Sequence, residues 1–470
     1  MASLPSVPTA WRTQPSLPEF LVWPTAAVLG YVVGTSVVTD QQRVKVLLLL
    51  PVLVLALTIQ PEKIFVAWLF AAPLVQGAAS GTHFGHIWFK LFFLAPPLVL
   101  IARMAMGSVR ARRLWAIDAL PALYLAYVLV SVRLFPSEFT LAKSATVKAI
   151  YISIGVGIAA YYFVAFGRTS RRFPEMIAAS LLWGGVVVAA LGIVDGLTGW
   201  NLWHQRIANG DIRRAVSTID GPWDLGTYLG VVIALAVAIL VFRGPRHLRL
   251  PSFLVLGLAP PALYFTYTRG PVVAVAAVVI AIVLLANRAR WPSLLVVFAV
   301  GVLVLASWGH LTSSTVYKER ISVNTATGRL ALVDTAFKLF RERPLFGQGY
   351  ATFDQVKLTV PIPPSELHGI ETNTSHNTFL TVLAESGAIG FALLVLPWLV
   401  IAWRALAAGW RGTTERWIVA GCVGAAAAYV IGASTYDARF SSLMLAVPWI
   451  TLGLARKVLA EEPMSPGSAS

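Results

Sequence analysis

The chain has 470 residues, of which 57% are hydrophobic and only 12% charged, with a mean hydropathy of +0.74; an average globular chain is about 25% charged. This balance excludes a soluble domain and indicates a polytopic membrane protein. The formal net charge of +16 would suit a nucleic-acid binder, but the arginines lie in loops between apolar windows, so the expected partners are anionic membrane lipid or a phosphate-bearing lipid substrate, and no nucleic acid.

Length alone would suggest about three soluble domains, yet apolar windows tile the chain from Phe20 to Leu454 at roughly the 17–25 residues needed to cross a ~30 Å hydrocarbon core. The fold class read from this is all-α: one integral membrane domain over residues 1–470, a transmembrane bundle of about 12–14 spans. The windows fall near 20–38, 44–59, 64–79, 87–105, 116–135, 146–166, 176–198, 223–242, 251–268, 271–287, 292–308, 377–403, 417–434 and 440–455. The first lacks a basic leader and a small-residue cleavage site and reads as a retained span. The Pro/Ser-rich stretches at both ends are not domains. Cys422, the single cysteine, excludes an internal disulfide or a cysteine metal cluster.

Arg-dense short loops set the orientation. Arg103/Arg110/Arg112/Arg113, Arg168/Arg171/Arg172, Arg243/Arg246/Arg249, Arg288/Arg290 and Arg404/Arg411/Arg416 fall on the side of the N-terminus, which is then cytoplasmic, as is the C-terminus. The opposite face receives the loop 199–222 and the long loop 309–375, both too long to be mere connectors.

Candidate chemistry lies on that external face. DIRRAVSTIDGPWDLGTYLG, 211–230, places Arg213 and Arg214 before a helix start marked by Gly221-Pro222; an exposed Arg pair is the plain alternative. YFTYTRGPVV, 264–273, pins Arg269 between two spans with almost no loop, and snorkelling to headgroups is its plain reading. TGRLALVDTAFKLFRERP, 327–344, is an amphipathic helix expected on the outer membrane surface. Leu332/Val333, Ala336/Phe337 and Phe340 form its apolar stripe, Arg329, Lys338 and Arg341 face elsewhere, and Asp334 can pair with Lys338. In PLFGQGYATF, 344–353, Gly347 and Gly349 permit a tight turn and the close approach of a ligand.

In SHNTFLTVLAESGAIGF, 375–391, Thr374 or Ser375 can cap a helix beginning near His376. The imidazole then stands at the external mouth of a span beside the positive end of the helix dipole, which favours a neutral base; a helix-end hydrogen bonder is the alternative. Asn377, Thr381 and Glu385 share a face expected to look into a polar cavity, with Glu385 either partnering a cavity arginine or helping the base. One topology thus puts Arg213/Arg214, Arg269, Arg329 and His376 on one face. Arginine suits bidentate capture of a pyrophosphate, and a base beside it completes what a lipid-pyrophosphate transferase needs. No Gly-x-Ser-x-Gly elbow, Walker loop or His-Glu-x-x-His pair occurs. His83 and His86, without a carboxylate nearby, read as surface residues rather than metal ligands.

GRLALVDTAFKLFRERPLFGQGYATF followed by SHNTFLTVLAESGAIG resembles the shared C-terminal region of the O-antigen ligase and O-antigen polymerase superfamily of bacterial membrane glycosyltransferases. Tyr267-Thr268-Arg269-Gly270 is similar to that family's Ser/Thr-Arg-Gly element, and Arg214 to Pro222 to its Arg-x-x-Gly…Pro-Asn element. The resemblance covers about residues 200–400. It implies a glycan donor on undecaprenyl pyrophosphate, a glycolipid or glycan acceptor, an external active site, and an inverting transfer that needs no metal or other cofactor. It further implies His376 as catalytic base, Arg214 (or Arg213), Arg269 and Arg329 as phosphate ligands, and supporting roles for Asn377 and Glu385. Two departures stand out: Ser217 where the family has Gly, and Trp223 where it has Asn.

The leading reading is an O-antigen ligase-like glycosyltransferase of the bacterial plasma (inner) membrane, serving lipopolysaccharide or another cell-envelope polysaccharide. A repeat-unit polymerase shares its chemistry. The rival of another class is a transporter or flippase of lipid-linked glycans, which commonly has inverted halves, broken helices in matching places and a basic midplane.

Overall fold

In a computed structural model the protein is described over residues 60–79, 92–93, 99–100, 104, 115–134, 154–203, 208–209, 212–285, 323–361, 376–410, 415–439 and 441–461. The chain divides into two units, Met1–Ile64 and Phe65–Ser470. Of the first, only residues 60–64 are among those described.

The fold is an all-α bundle. Its helices are α1 (Pro61–Val75), α2 (Leu120–Leu134), α3 (Val156–Phe166), α4 (Phe173–Thr198), α5 (Pro222–Val241), α6 (Arg246–Phe265), α7 (Arg269–Leu285), α8 (Val323–Glu342), the one-turn α9 (Phe353–Val356), α10 (Thr378–Trp410), α11 (Arg416–Ala433) and α12 (Ser442–Glu461). A two-residue antiparallel ladder pairs Ala208–Asn209 with Ile212–Arg213. Six helices there (α4, α5, α6, α10, α11 and α12) are long and apolar enough to cross a membrane, and parts of α2, α3 and α7 are shorter apolar helices. These sit within a few residues of the predicted windows. The windows 20–38, 44–59 and 292–308, and most of 87–105, lie outside the described residues.

Uniformly apolar helices bury against one another rather than presenting a single stripe. α5 and α12 are the most enclosed spans, 83% and 89% buried over their most apolar stretch, against 39% for α6. α3 and α12 touch through glycine: a Cβ on Gly157 would stand 2.7 Å from the Trp449 ring, the close backbone approach that small residues allow between membrane helices.

One end of the bundle is tied by a satisfied ion pair. Asp118 accepts Arg456 Nε at 2.9 Å and Arg456 Nη2 at 2.8 Å, and Tyr161 donates to it at 3.0 Å. Arg456 stacks on Trp115 at 3.6 Å, with Arg404 near the same ring at 4.0 Å. The basic connections 168–172 and 243–249 lie at this end, as do Arg404 and Arg416, since α4 and α5 run from opposite ends and α10 passes Trp115 near its close.

The opposite end carries the candidate site. There α4 ends, α5 begins, α6 ends, α7 begins, α10 begins, α11 ends and α12 begins. The predicted amphipathic helix exists as α8, with the Asp334–Lys338 pair at 2.7 Å. Its buried stripe differs from the expected one. Ala331, Leu332, Ala336 and Leu339 form a small core with Phe353, Val360 and Ala384, while Phe337 is 41% exposed. α8 thus packs on α10, whose Ala384 is small enough to receive it.

Candidate active site

Three strained or reversed turns bring distant segments together. The first holds Arg213 and Arg214. Asp195, fully buried near the end of α4, accepts the backbone N–H groups of Val216 and Ser217 at 2.8 and 3.0 Å. Ser217 has φ +57, the left-handed region that glycine enters freely. Its hydroxyl donates to the Val188 carbonyl at 2.7 Å, so serine is held where the resembling family has glycine.

Arg213 and Arg214 then part company. Arg213 reaches back to Asp195 at 3.4 Å, with its side chain 39% exposed. Arg214 is 2% exposed; its Nε donates to the Thr266 carbonyl at 2.9 Å and its guanidinium lies 4.3 Å from the Trp223 ring centre. The second departure, Trp223 for Asn, therefore supplies a platform for Arg214.

The second turn joins α6 to α7. Tyr267 at φ +50 reverses the chain, and the exposed Arg269 opens α7. The Ala215 N–H donates to the Phe265 carbonyl at 2.9 Å, so with the Arg214–Thr266 bond the first two turns are pinned together.

The third is the start of α10. The helix begins at Thr378, and its cap is Asn377, whose Oδ1 accepts the N–H groups of Phe379 and Leu380, each at 3.0 Å. Residues 374 and 375, the expected caps, lie outside the described residues. His376 precedes the cap at φ +51 and is half-buried. Thr378 fastens this end to the turn between α11 and α12. Its N–H and hydroxyl donate to the Tyr436 carbonyl at 3.2 and 3.0 Å, and its oxygen accepts the Ala438 N–H at 2.9 Å. The same turn meets the second: a Cβ on Gly270 would fall 2.1 Å from Thr435 Oγ1. Arg214, Arg269 and His376 thus stand at one end of the bundle on turns bonded or packed in sequence. Arg329 belongs to α8, and its side chain lies outside those described; so do His83 and His86.

Asn377 and Glu385 do not line one polar face. Thr381 donates to the Asn377 carbonyl at 2.8 Å, and Glu385 is fully buried. Glu385 accepts the N–H groups of Ala351 and Phe353, each at 2.8 Å, and grips Arg439. Of the two roles open to Glu385, the arginine partner is the one observed, and that arginine was not among the residues picked from sequence. Arg439 also holds Asp437 through Nε and Nη2 at 2.8 and 2.6 Å. Burial alone would lower its pKa, but the Asp437 and Glu385 carboxylates outweigh this and hold the guanidinium charged. The signal that could have found it is the DAR sequence in a short connection between two spans.

α10 is broken at Gly387, which has φ +62 and ψ −170. A broken helix needs other partners for its freed backbone groups, and the segment 344–349 supplies them. The Gln348 and Gly349 N–H groups donate to the Ala384 and Glu385 carbonyls at 3.0 and 2.8 Å, and Ala388 N–H donates to the Pro344 carbonyl at 2.8 Å. The close approach permitted by Gly347 is therefore to this backbone: a Cβ there would stand 2.3 Å from the Glu385 carbonyl carbon.

Along α10 from Thr378 to Leu399 runs a cavity of about 190 Å³, walled by apolar and aromatic side chains such as Val382, Trp398 and Tyr429, with Tyr350 and Arg439 among its lining residues. Leu399 and Val430, also on its wall, are 59% and 38% exposed, so it opens sideways between α10 and α11. Among the described residues no three His, Cys, Asp or Glu side chains gather to hold a metal ion.

Residues 254–395 match the family model described as O-antigen ligase. This span takes in Arg269, Arg329, His376 and Glu385, and bears out the resemblance read from the C-terminal motifs. No curated protein matches the chain. The match and the six apolar helices support a multi-pass membrane protein with a glycosyltransferase-like role in O-antigen assembly.

Proposed function

We propose that the protein is a glycosyltransferase moving a glycan from undecaprenyl pyrophosphate to an acceptor hydroxyl at the external face of the bacterial plasma membrane, in the manner of an O-antigen ligase. The observation that carries this is the joining of the Arg214, Arg269 and His376 turns at one bundle end, beside a cavity apolar enough for a prenyl chain.

In this reading Arg214 and Arg269 hold the diphosphate, with Arg329 and Arg213 as further cations from α8 and the 208–213 ladder. His376 takes the proton of the acceptor hydroxyl as its oxygen attacks the anomeric carbon. The bond from that carbon to the phosphate oxygen breaks, the electron pair leaves with the diphosphate, and the configuration inverts. Each donor aimed at the departing charge contributes about 3–4 kcal/mol. Neither step calls on a metal ion. Asn377 orders the helix start that carries His376, and Glu385 fixes the turn network beneath it. The segment 309–375 is then the external loop and both termini are cytoplasmic, which leaves the basic connections 168–172, 243–249 and 404–416 inside.

The test is purified protein in liposomes, given an undecaprenyl-pyrophosphate-linked glycan and a glycolipid acceptor. The expected result is covalent transfer to the acceptor with release of undecaprenyl diphosphate. Extension of one lipid-linked repeat by another would identify a polymerase with the same site, and movement of intact donor across the bilayer with no bond change would replace the enzyme by a flippase.

A further inference from the structure

The turn that follows α8 shows two large apolar side chains to the outside, Leu345 at 57% exposure and Phe346 at 48%. Its neighbours are not those of a water-exposed loop. Leu345 adjoins α10 where a stripe of outward-facing apolar residues begins: Ile389, Leu396 and Trp403, seven apart and therefore on one helix face. Phe346 adjoins α2 at Tyr127, and the exposed Leu123 and Val130 lie one turn to either side on the same face. Both stripes belong to apolar helices, and in a multi-pass membrane protein they face lipid.

The backbone of the turn is bonded as lipid requires. The Pro344 carbonyl accepts the Ala388 N–H at 2.8 Å, the Leu345 carbonyl accepts the Ile389 N–H at 3.3 Å, and the Phe346 carbonyl accepts the Tyr127 hydroxyl at 2.9 Å. Tyr127 Oη also lies 2.8 Å from the Ser386 carbonyl, so one phenol serves both sides of the break in α10. Three successive turn carbonyls thus each have a protein donor. In water such groups need none, whereas in hydrocarbon an unmet carbonyl is strongly penalised.

The charges beside the turn fit the level of lipid headgroups. Arg341 and Arg343 are exposed just before it, and Glu342 between them accepts Gln348 Nε2 at 3.0 Å. A net cationic fringe therefore stands over an apolar tip. Arginine at such a boundary meets lipid phosphate while its stem lies along apolar surface.

We propose that residues 344–346 form a wedge that enters the leaflet on the candidate-site side, with Leu345 and Phe346 among the acyl chains and Arg341 and Arg343 at the headgroup phosphates. Part of the stretch 309–375, expected from sequence to lie wholly outside the bilayer, thus returns to it. α8 is thereby held at headgroup height, the level at which a lipid-borne phosphate presents itself. This placement follows from membrane spanning alone and is independent of the transfer reaction.

The test uses full-length protein in which the buried Cys422 is replaced, Cys422→Ala. The single variants Leu345→Cys and Phe346→Cys are labelled with bimane and reconstituted in liposomes of phosphatidylcholine and phosphatidylglycerol. Both replaced side chains are exposed, so the carbonyl bonds stay in place. Trp403→Cys on the α10 stripe and Asp334→Cys on the exposed face of α8 serve as references. Labels at 345 and 346 should lose most of their emission to phospholipid brominated in the upper acyl chain, as at 403, and should resist aqueous iodide, which quenches the label at 334. Iodide quenching as at 334 would put the turn in water and overturn the wedge. Quenching by neither agent would mean that protein, a second copy included, covers the turn, and overturns it equally. Tyr127→Phe removes the shared donor, and its melting temperature in the same liposomes should fall because no water replaces the phenol. A parent-like value would mean solvated carbonyls and would rule out their placement in lipid.

Discussion

Glu385 holds Arg439 across 54 positions of chain, and both side chains are almost completely buried. This contact fastens the α11–α12 turn to the middle of α10, and the same carboxylate fixes Ala351 and Phe353. Removing the carboxylate leaves a buried cation with one carboxylate fewer beside it. Glu385→Ala should cost about 3–5 kcal/mol, seen as a lowered melting temperature in detergent. Glu385→Gln, which keeps an acceptor, should lose less. An unchanged melting temperature for Glu385→Ala would remove this contact from the account of stability.

Gly387 and Leu345 meet backbone to backbone. A Cβ on Gly387 would lie 2.4 Å from the Leu345 carbonyl oxygen, at a φ of +62. The backbone conformation alone costs a non-glycine residue roughly 1–3 kcal/mol, and the clash adds to it. Gly387→Ala should therefore lower folded yield sharply, with Gly347→Ala similar. Parent-like melting of Gly387→Ala would show that α10 is continuous there.

His376 combines a left-handed backbone with the role of base. His376→Ala should lower turnover by about 10²–10⁴-fold while the protein still inserts and elutes as the parent does. His376→Gly, which relaxes the positive φ, should be the more stable of the two and equally inactive. Full turnover by either variant would take His376 out of the chemistry.

Arg269 opens α7 as an exposed cation, whereas Arg214 is buried under structural contacts. Arg269→Ala should reduce transfer by about 10²–10³-fold with little change in melting temperature. Arg269→Lys should keep part of the activity, since it keeps the charge and loses the fork. Arg214→Ala should lose both activity and stability. Equal activity of the two Arg269 variants would argue against bidentate phosphate binding.

Ser217 sits where glycine would be relaxed. Ser217→Gly loses the bond to Val188, worth about 0.5–1.5 kcal/mol, and relieves a backbone strain of roughly 1–3 kcal/mol. The two nearly offset, so its melting temperature should stay close to the parent. Ser217→Val, with branching at Cβ, should be clearly destabilised. If the glycine variant melts far below the parent, the serine bond is the dominant effect.

The hydropathy of the sequence by itself determined the all-α membrane bundle, because apolar windows have few other ways to satisfy their backbone in lipid. It also determined the amphipathic α8 and the chain ends at which Arg214, Arg269 and His376 stand, since each borders a span. Only the tertiary structure decided which turns touch. The threading of 344–349 through the break at Gly387, the gripping of Arg439 by Glu385 and the reach of Tyr127 to the Phe346 carbonyl all join residues far apart in the chain, and no local spacing encodes a contact closed by the packing of separate helices. The start of α10 shows the same division at short range: the sequence alone places the cap at Thr374 or Ser375, whereas Asn377 caps the helix and Thr378 bonds to Tyr436 where it begins.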